Sequence, residues 1–571
     1  MIDLIVFSLT IYLKYLLFYI YLYFAGRSLI MILGKLFLKN FRPPNYLLET
    51  KTNIFYPILG ALFLGNLLIF FNFFIPLKSN GIIVLLLLLL APNVFEINLK
   101  IKIKNKISMD NFIYFVFIPA VLLISSSDIN FHYDAAYYHL NNQNWLRESN
   151  LIIGFVNIFW PFGMSSIYEY LSSILWLEGS FIFLHFLSLI FIHFFYSFIY
   201  FQVFTSKINF LRHGSILLLF FSILDNFGFQ GGRNGFIYIQ EVGKQDIPVA
   251  ILLAVLSFLI VYQFKKDKLE ILDLVSISLI SLFIIQLKVS GVYIFYLYFL
   301  LIIFILKKNI FKIKKLIIYQ TPLFLFSLIW LLKNYLTTGC LIFPLSLTCK
   351  NNFDWYIPGS TERVEEYTTS TSFAYMEYFL DTNLNFFTWF RDFFYSEAFA
   401  VFSDYYRSVY LNFLISLLII LLIKIFLFKN SNLRDNFIFI PISYLIISMT
   451  YLIFFGPIPR YTIGILCTFV LFLGFTSSEL RFSISKYFLY TIFLFSVGLL
   501  PRINSYINFI ENKNVALSDP RVGIQTDNDI SKILWVKPES GDRCWVDLNC
   551  TMEEGEIVVD SSNFFSNAYK K

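Results

Sequence analysis

The chain has 571 residues, of which 58% are hydrophobic and only 14% are charged. A typical soluble domain carries about 25% charged residues, so this composition excludes an ordinary soluble protein. The 44 Lys and Arg residues against 37 Asp and Glu give a net charge of +7, an excess too small to indicate a nucleic-acid binder. Apolar runs of roughly 16 to 25 residues recur along the chain, and they predict an all-α polytopic membrane protein.

In chain order, we expect about fourteen transmembrane helices, because a helix needs about 20 apolar residues to cross the hydrocarbon core. The predicted spans are residues 3–25, 53–75, 81–97, 111–126, 180–204, 214–230, 247–264, 271–287, 291–306, 316–335, 409–428, 436–455, 461–478 and 485–500. No Lys- and Arg-rich segment precedes the first apolar stretch, so we expect this span to be retained rather than cleaved.

Lys-rich loops set the expected orientation, because Lys and Arg are enriched on the cytoplasmic side. Such loops lie near residues 100–106, 265–268 and 307–315. With these loops in the cytoplasm, the opposite face receives the segments 127–179, 229–246, 336–408 and 501–571. We therefore predict a transmembrane domain over residues 1–500, with interfacial helices in the first large outer loop, followed by a small extracytoplasmic C-terminal segment.

The C-terminal segment has the most polar composition of the chain. It contains a β-rich run at Ile557–Val559, and we expect it to be a small capping segment or to be partly disordered. The chain shows no internal repeat, Walker A loop, glycine-rich dinucleotide fingerprint or G-x-S-x-G elbow. ATP-driven transport by this chain alone is therefore excluded.

Four of the five cysteines fall in predicted outer segments. Cys340 and Cys349 share one loop, and Cys544 and Cys550 share the tail, so we expect two disulfides in an oxidising compartment. Each would stabilise its segment by roughly 2–3 kcal/mol. The alternative is four reduced cysteines near the surface by chance. No C-x-x-C pair or His/Cys cluster is present, so we expect no zinc site, and Cys467 is interpreted as a packing residue.

The densest group of polar residues follows the fourth predicted span and includes our candidate catalytic residues, Asp128, Asp134 and His139. From Asp134 onward, the spacing of side chains predicts an interfacial helix. At the N-terminus of that helix, backbone N–H groups and the helix dipole would keep the carboxylate ionised, as a general base requires. The alternative is that Asp134 only caps the helix. His139 does not share its face in a regular helix, although local unwinding would bring the two closer.

A second group consists of basic residues on the predicted outer face: Lys288, Arg460, Arg233 and Lys244. Positive residues there run against the cytoplasmic bias, so each requires an anionic partner. The phosphate of a lipid would supply one, because Arg binds phosphate oxygens in a fork and Lys binds them as a point charge. The competing interpretation is that these side chains only extend toward lipid headgroups.

Aromatic and amide side chains complete the set of candidates. Trp330 and Asn334 are four residues apart and share one helix face, and with Tyr138 and Tyr461 they are candidates for the wall of a substrate groove. Anchoring of aromatic rings at the membrane interface is the alternative. Residues 386–395 read as an amphipathic helix beside such a groove.

Together these features resemble the GT-C superfamily of membrane glycosyltransferases. More closely, the chain resembles a family of uncharacterised bacterial multi-pass proteins of that superfamily. The resemblance spans nearly the whole chain and rests on four short motifs: Asp134-Ala135-Ala136-Tyr137-Tyr138-His139; Lys288-Val289-Ser290; Trp330 and Asn334 followed by Gly339 and Pro344; and Pro459-Arg460-Tyr461.

The resemblance implies a GT-C-like bundle and a glycosyltransferase in the bacterial inner membrane, with its C-terminus outside. Such an enzyme moves a sugar from a polyprenyl-phosphate donor, held among membrane lipids, to a glycan, lipid or protein acceptor. Asp134 would position or deprotonate the acceptor hydroxyl, and the outer basic residues would hold the donor phosphate. Some members of the superfamily use Mg²⁺ or Mn²⁺ and others do not. No adjacent acidic pair follows Asp134, so the sequence assigns no metal ligand.

Two other functions fit the same composition. One is a flippase or transporter for lipid-linked sugars, and the other is a polysaccharide polymerase or ligase. Transporters tend to place substrate charges near the bilayer midplane, often in repeated halves of the chain. Here the notable charges lie at the predicted outer rim and no repeat is evident, which favours the transferase.

Overall fold

A computed structural model describes residues 2–38, 41–94, 109–126, 131, 133–177, 182–226, 243–266, 268–350, 352–374, 400–430, 438–455, 458–501, 503–511, 542–548, 550–553, 557–561 and 565–570. These residues are mostly helical. The first α-helices are α1 Ile2–Phe37, α2 Thr52–Asn72, α3 Asn80–Leu88, α4 Ala91–Val94, α5 Met109–Phe112, α6 Ile118–Ser126, α7 Leu140–Glu148, α8 Ile167–Ser173, α9 His185–Phe204 and α10 Asn209–Asn226.

The α-helices that follow are α11 Asp246–Gln263, α12 Ile271–Leu287, α13 Ile294–Lys307, α14 Ile313–Tyr319, α15 Thr321–Thr338, α16 Ser360–Ala374, α17 Ala400–Leu427, α18 Phe439–Phe455, α19 Pro459–Phe472, α20 Lys486–Gly498 and α21 Ile503–Glu511. Two π-helices precede α6 and α7, at Ile113–Phe117 and Ala135–His139. Three antiparallel strand pairs are formed by β1 Tyr46–Leu47 with β2 Thr50–Lys51, β3 Phe428–Asn430 with β4 Ser477–Leu480, and β5 Ile557–Asp560 with β6 Asn567–Lys570.

Six of the described helices are long and apolar enough to cross a membrane, and the number rises to eight if each of two bent helix pairs is one span. The six are Leu9–Phe37, Thr52–Asn72, His185–Phe204, Asp246–Gln263, Val289–Lys307 and Val409–Leu427. Other predicted spans are helices of 10–17 residues, which are shorter than a span normally requires. The chain is thus a mostly helical protein with helices fit for a membrane, and the count of about fourteen remains a prediction.

Helices α1 and α2 cross closely because each contributes a glycine at the crossing. A Cβ atom on Gly26 would overlap the carbonyl oxygen of Tyr56, and one on Gly60 would overlap that of Leu22. Small residues allow helix backbones to approach closely in this way, which strengthens van der Waals packing where lipid supplies no hydrophobic drive. The crossing fixes the position of α2, which in turn contacts α12.

A pair of buried amides ties α2 to α12. Asn66 Nδ2 donates to Gln286 Oε1 at 3.1 Å, and Gln286 Nε2 donates back to Asn66 Oδ1 at 2.8 Å. Each amide therefore satisfies the other inside an apolar core, where an unpaired polar group would be costly. Gln286 lies two residues before Lys288, so this pair also holds the C-terminal end of α12 in place.

Helices α11 and α19 pack side by side and begin at the same end of the bundle. A Cβ atom on Gly464 would lie 3.1 Å from Ala250 Cα, so the two backbones run close together near their N-termini. α11 is apolar on all sides, as is typical of a helix buried among others. This packing brings Asp246, the first residue of α11, near Arg460 in the first turn of α19.

The C-terminal segment folds back onto the chain that follows Asp134. β5, which contains the β-rich run Ile557–Val559, pairs antiparallel with β6, and Ala568 N donates to Ile153 O at 2.8 Å. Farther upstream, Trp545 N donates to Ala136 O at 2.9 Å and Asn144 Nδ2 donates to Val546 O at 2.7 Å. The described part of the tail is therefore a capping segment over α7 and the π-helix before it.

Both predicted disulfides are confirmed, Cys340 to Cys349 and Cys544 to Cys550, and Cys467 is a buried free thiol in α19. Helix α15 continues to Thr338 and α17 begins at Ala400, so helical residues extend into both ends of the predicted outer loop 336–408, while the apolar part of α17 begins at Val409. The amphipathic helix predicted at residues 386–395 lies outside the described residues.

Candidate functional site

Asp134 makes an ion pair with a residue far away in sequence. It directly precedes the π-helix Ala135–His139, which continues into α7, and its side chain makes no capping hydrogen bond within the described structure. Instead, Lys244 Nζ donates to Asp134 Oδ2 across 110 residues of sequence. The side chain of Asp134 is 27% exposed and that of Lys244 is 12% exposed, so the pair is reachable from solvent. The interpretation of Asp134 as only a helix cap is therefore wrong.

A second carboxylate, Asp246, joins two of the predicted basic residues. Lys288 Nζ donates to Asp246 Oδ1 at 2.5 Å, and Arg460 Nε lies 3.8 Å from Asp246 Oδ2. Asp246 is 4% exposed, whereas Arg460 is 43% exposed. A buried carboxylate is costly unless it is paired, so these two cations keep Asp246 charged. Arg460 thus holds Asp246 and still presents much of its side chain to a ligand.

The surroundings of the two lysines shift their pKa values in opposite directions. Burial lowers the pKa of Lys244 below its usual 10.5, and Asp134 offsets only part of this change. Burial also acts on Lys288, but the charge of Asp246 and the hydroxyl of Tyr461 raise the pKa of Lys288 overall. The surroundings therefore favour the protonated form of Lys288 and disfavour the protonated form of Lys244.

Tyr461 lies beneath both cations. Lys288 Nζ is 4.6 Å from the centre of its ring, and Arg460 Cζ is 5.4 Å from it. The negative face of an aromatic ring attracts cations at such distances. The predicted Pro459-Arg460-Tyr461 turn therefore presents a cation and the ring that supports it as one unit.

An open groove runs from Arg460 and Tyr461 along the apolar faces of α11, α18 and α19. Its cavity measures about 50 Å³, within about 520 Å³ of space between atoms that includes open solvent. One end is polar, with Asp246, Arg460 and Ser290. The remaining lining is largely apolar or aromatic: Val249, Ala250, Leu253, Tyr293, Tyr451, Leu452, Phe455, Gly464 and Ile465. The groove therefore suits an amphipathic ligand with an anionic head and an apolar tail.

His139 belongs to a buried network behind the ion pairs. His139 Nδ1 lies 2.5 Å from Glu169 Oε1, and both side chains are nearly inaccessible. Gln143 Nε2 donates to Glu169 Oε2 at 2.7 Å, and Trp176 Nε1 donates to Gln143 Oε1 at 2.8 Å. The π-helix turns His139 inward to this partner, so its imidazole is held by Glu169 rather than directed at Asp134.

Four consecutive residues, Gly243 to Asp246, connect the ion pairs to the buried network. Gly243 has φ +83° and packs so closely on the imidazole of His139 that a Cβ atom would overlap the ring. Lys244 pairs with Asp134, and Gln245 Nε2 lies 3.4 Å from Glu169 Oε1. Because Asp246 follows directly, a displacement of this turn would disturb every one of these contacts.

Of the four residues predicted to line the groove, one does so. Tyr461 lines the groove. Tyr138 lies beside the Asp134 pair, and burial followed by the charges of Asp134 and Glu169 raises its pKa well above 10. Trp330 and Asn334 lie on α15 and do not line that groove; Asn334 Nδ2 donates to Leu341 O at 3.0 Å.

Lys333, next to Asn334, is a buried lysine and lies in a more unusual environment than Trp330 or Asn334. Lys333 is 2% exposed, and its ammonium group donates to Ser165 O at 2.6 Å and to Asn334 Oδ1 at 3.0 Å. It lines a small second pocket with Trp145 and Tyr170. Asn334 is therefore a partner of a buried lysine, which the spacing of Trp330 and Asn334 did not indicate.

Two predicted site residues, Asp128 and Arg233, lie outside the described residues. Sequence reasoning gave no role to Asp246 and overlooked Glu169. A signal was present for Asp246, because two unexplained cations, Lys288 and Arg460, required a nearby anion. Glu169 is a carboxylate within the apolar run of α8, which by itself marks a paired or functional group.

Metal binding has no assigned ligands in this protein. Within the described ranges, no group of three or more His, Cys, Asp and Glu residues is arranged to hold a metal ion. Asp134 and Asp246 each face a lysine ammonium group. We therefore name no metal ligand and treat the site as a set of ion pairs.

A family model described as a domain of unknown function, DUF8201, matches residues 9–467. The chain belongs to this family. The matched region includes both ion-paired carboxylates and all three of their cationic partners, so the site lies inside the family domain. No curated protein and no solved structure matches the chain. Its function must therefore be argued from the chemistry of the site.

Proposed function

We propose that this protein is a GT-C-type glycosyltransferase. It moves a sugar from a polyprenyl-phosphate donor to a glycan, lipid or protein acceptor on the outer face of the bacterial inner membrane. The observation that carries the proposal is the groove between α11 and α19, whose cationic end at Arg460 continues into an apolar channel.

The lining of the groove supports a lipid-linked substrate. A phosphate placed beside Arg460 would lie within reach of Lys288, since both cations flank Tyr461. The chain of the lipid would then pack along Val249, Leu253, Tyr293 and the aromatic side chains of α18. A soluble nucleotide sugar would leave this apolar surface exposed, whereas a prenyl chain would bury it at about 25 cal/mol per Å².

The charges support transfer chemistry. When the bond between a sugar and its phosphate breaks, negative charge grows on the phosphate, and preorganised cations stabilise it. Arg460 and Lys288 are held in place by Asp246 and supply that stabilisation. Asp134 is near them, since its charge acts on Arg460, and its carboxylate can accept the proton of an acceptor hydroxyl.

The decisive experiment separates transfer from transport. The purified full-length protein is mixed in detergent with farnesyl-phosphate-linked sugars and an envelope-glycan extract, and release of farnesyl phosphate is followed by mass spectrometry. Detergent micelles have no two sides, so a flippase would release nothing. We expect release with at least one sugar and a matching new glycoside.

Two controls make the result specific. The Arg460→Ala variant should release much less farnesyl phosphate, while the exposed Arg363→Ala variant should act like the parent. If no donor in a panel of common sugars is consumed, yet protein in sealed vesicles moves the donor from one leaflet to the other, the transferase proposal is wrong and the transporter function replaces it.

A further inference from the structure

Lys244 stands between the two halves of the site. Its ammonium group pairs with Asp134, and the charges of Arg460 and Asp246 also act on it. It also stands two residues before Asp246, which pairs with Lys288 and Arg460, the cations that would hold the donor. It is also flanked by Gly243, which adopts φ +83°, a conformation that few other residues tolerate.

The charge of the ion-paired cluster is not balanced. Among the described residues, it contains three cations, Lys244, Lys288 and Arg460, and two carboxylates, Asp134 and Asp246. One positive charge remains in excess. Glu169 is left out of this count because it lies in the separate buried network with His139. A ligand with one negative charge, such as the phosphodiester of a lipid-phosphate sugar, would neutralise the cluster.

In the structure, Lys244 occupies the oxygen that the proposed reaction needs. Its hydrogen bond is to Asp134 Oδ2, so this oxygen cannot accept a proton from an acceptor while the pair is intact. An ammonium beside the carboxylate also stabilises the charged form and weakens it as a base. This oxygen of Asp134 therefore cannot act as the base until Lys244 finds another anion.

We propose that Lys244 is a donor-sensing residue, an inference that rests on the proposed transferase function. When the donor phosphate binds beside Arg460 and Lys288, Lys244 moves its hydrogen bond from Asp134 Oδ2 to a phosphate oxygen. The Asp134 oxygen that Lys244 held is then available to the acceptor hydroxyl. Donor binding thus precedes activation of the base.

The charges balance through the transfer step. The acceptor oxygen forms a bond to the anomeric carbon of the sugar, and the bond from that carbon to the phosphate oxygen breaks. The bonding electron pair stays on the phosphate, which becomes a monoester with two negative charges. The acceptor proton moves to Asp134, so the cluster gains one positive charge as the phosphate gains one negative charge. Lys244, already on the phosphate, helps to hold the second charge.

The test is a double-mutant cycle on ligand affinity rather than on activity. Farnesyl phosphate is the probe and farnesol is the neutral control, and binding to the full-length protein in detergent is measured by thermophoresis. Four proteins are compared: the parent, Asp134→Asn, Lys244→Met, and the double variant. Lys244→Gln replaces Lys244→Met if the latter does not purify as a monodisperse protein.

Donor sensing predicts an unusual result. Removing the charge of Asp134 releases Lys244 to the phosphate, so Asp134→Asn should raise the affinity for farnesyl phosphate by about fivefold or more. In the Lys244→Met background the same substitution should change affinity by less than about twofold. Lys244→Arg should retain the parent's affinity, because it restores a cation at the same place.

The other outcomes overturn the inference. An equal gain in both backgrounds would mean that Asp134 acts only through its general electric field. An unchanged or lower affinity in Asp134→Asn would mean that Lys244 does not exchange partners. If the parent binds farnesyl phosphate no better than farnesol, the lipid-phosphate substrate itself is wrong, and the proposed function falls together with the role of Lys244.

Discussion

Lys288 Nζ lies 2.5 Å from Oδ1 of Asp246, although the two residues are 42 positions apart and begin or end different helices. The contact joins the end of α12 to the start of α11. It also explains why a lysine is stable at this buried turn: its charge is matched by a carboxylate that is 4% exposed. The pair is therefore structural as well as part of the candidate site.

Substitution Asp246→Asn should destabilise the protein. It leaves Lys288 and Arg460 without their shared anion, and removing one member of a buried pair costs up to about 3–5 kcal/mol. Because both cations are partly exposed, we expect about 1–3 kcal/mol. The shift in thermal denaturation in detergent measures this loss. The exposed pair of Lys429 with Glu479 offers the matched control, since Glu479→Gln should change stability by less than about 0.5 kcal/mol.

Substitution Asp134→Asn should nearly abolish sugar transfer without reducing the amount of folded protein. Loss of a general base lowers kcat by roughly 10²- to 10⁴-fold. The assay is release of farnesyl phosphate, with Glu148→Gln as the control, because Glu148 pairs with Lys78 at the opposite end of α7 from Asp134. Turnover close to that of the parent would remove Asp134 from the role of base.

Substitution Arg460→Ala should weaken donor binding more than Arg460→Lys does. The guanidinium group can bind two phosphate oxygens at once, whereas an ammonium group binds as a point charge. We expect kcat/KM to fall by about tenfold to a hundredfold for alanine. Titration with farnesyl phosphate measures the binding part of this loss. Equal affinity in the parent and in both variants would show that Arg460 serves only to hold Asp246.

The pKa of Lys244 predicts how donor affinity depends on pH. Burial lowers this pKa below 10.5, so Lys244 loses its charge in the alkaline range before an ordinary lysine does. Affinity for farnesyl phosphate should fall there, whereas Lys244→Arg should keep it. Stability should move the other way, because the unfolded chain binds the proton more strongly and stability rises with pH in this window. The charges facing Lys244 are Asp134, Arg460 and Asp246, and a fall shared equally by Lys244→Arg would assign the effect to another group.

The sequence identified members of the charged cluster but not how they pair. Asp134, Lys288 and Arg460 stood out because charges at membrane edges are costly, and the structure brings all three into one charged cluster. What spacing could not give was which carboxylate each cation would meet. Lys244 and Asp134 are 110 residues apart, so no helical or strand period relates them.

For the helices too, the sequence predicted which segments are helical better than it predicted where each helix ends. Apolar runs identify α2, α9 and α11, whose length and hydropathy suffice for a span. The described part of the predicted span at 81–97 is divided into α3 and α4, a break that hydropathy cannot show. His139 illustrates the same limit on a smaller scale. A regular helical period placed it away from the site, and the π-helix turns it toward Glu169 instead.

The disulfide of the tail allows the orientation of the chain to be tested. Cys544 and Cys550 form a disulfide, and Cys467 is buried. A membrane-impermeant maleimide added to intact cells should therefore label the two tail cysteines only after reduction. A Cys467→Ser variant removes the remaining thiol that is not in a disulfide. Mass spectrometry of the labelled tail peptide gives the result. Labelling that requires opening of the cells would place the C-terminal segment on the cytoplasmic side.

Gly243 offers the sharpest test of the turn that connects the site. Substitution Gly243→Ala should impair both folding and transfer, because the new Cβ atom would overlap the His139 ring as well as strain a backbone at φ +83°. Gly359→Ala is the matched control: its φ is +75°, but no atom lies within 4 Å of the new Cβ. The control should lose about 1 kcal/mol from backbone strain alone. Thermal denaturation and farnesyl phosphate release should both fall further in Gly243→Ala, and equal losses in the two variants would mean that contact with His139 contributes nothing.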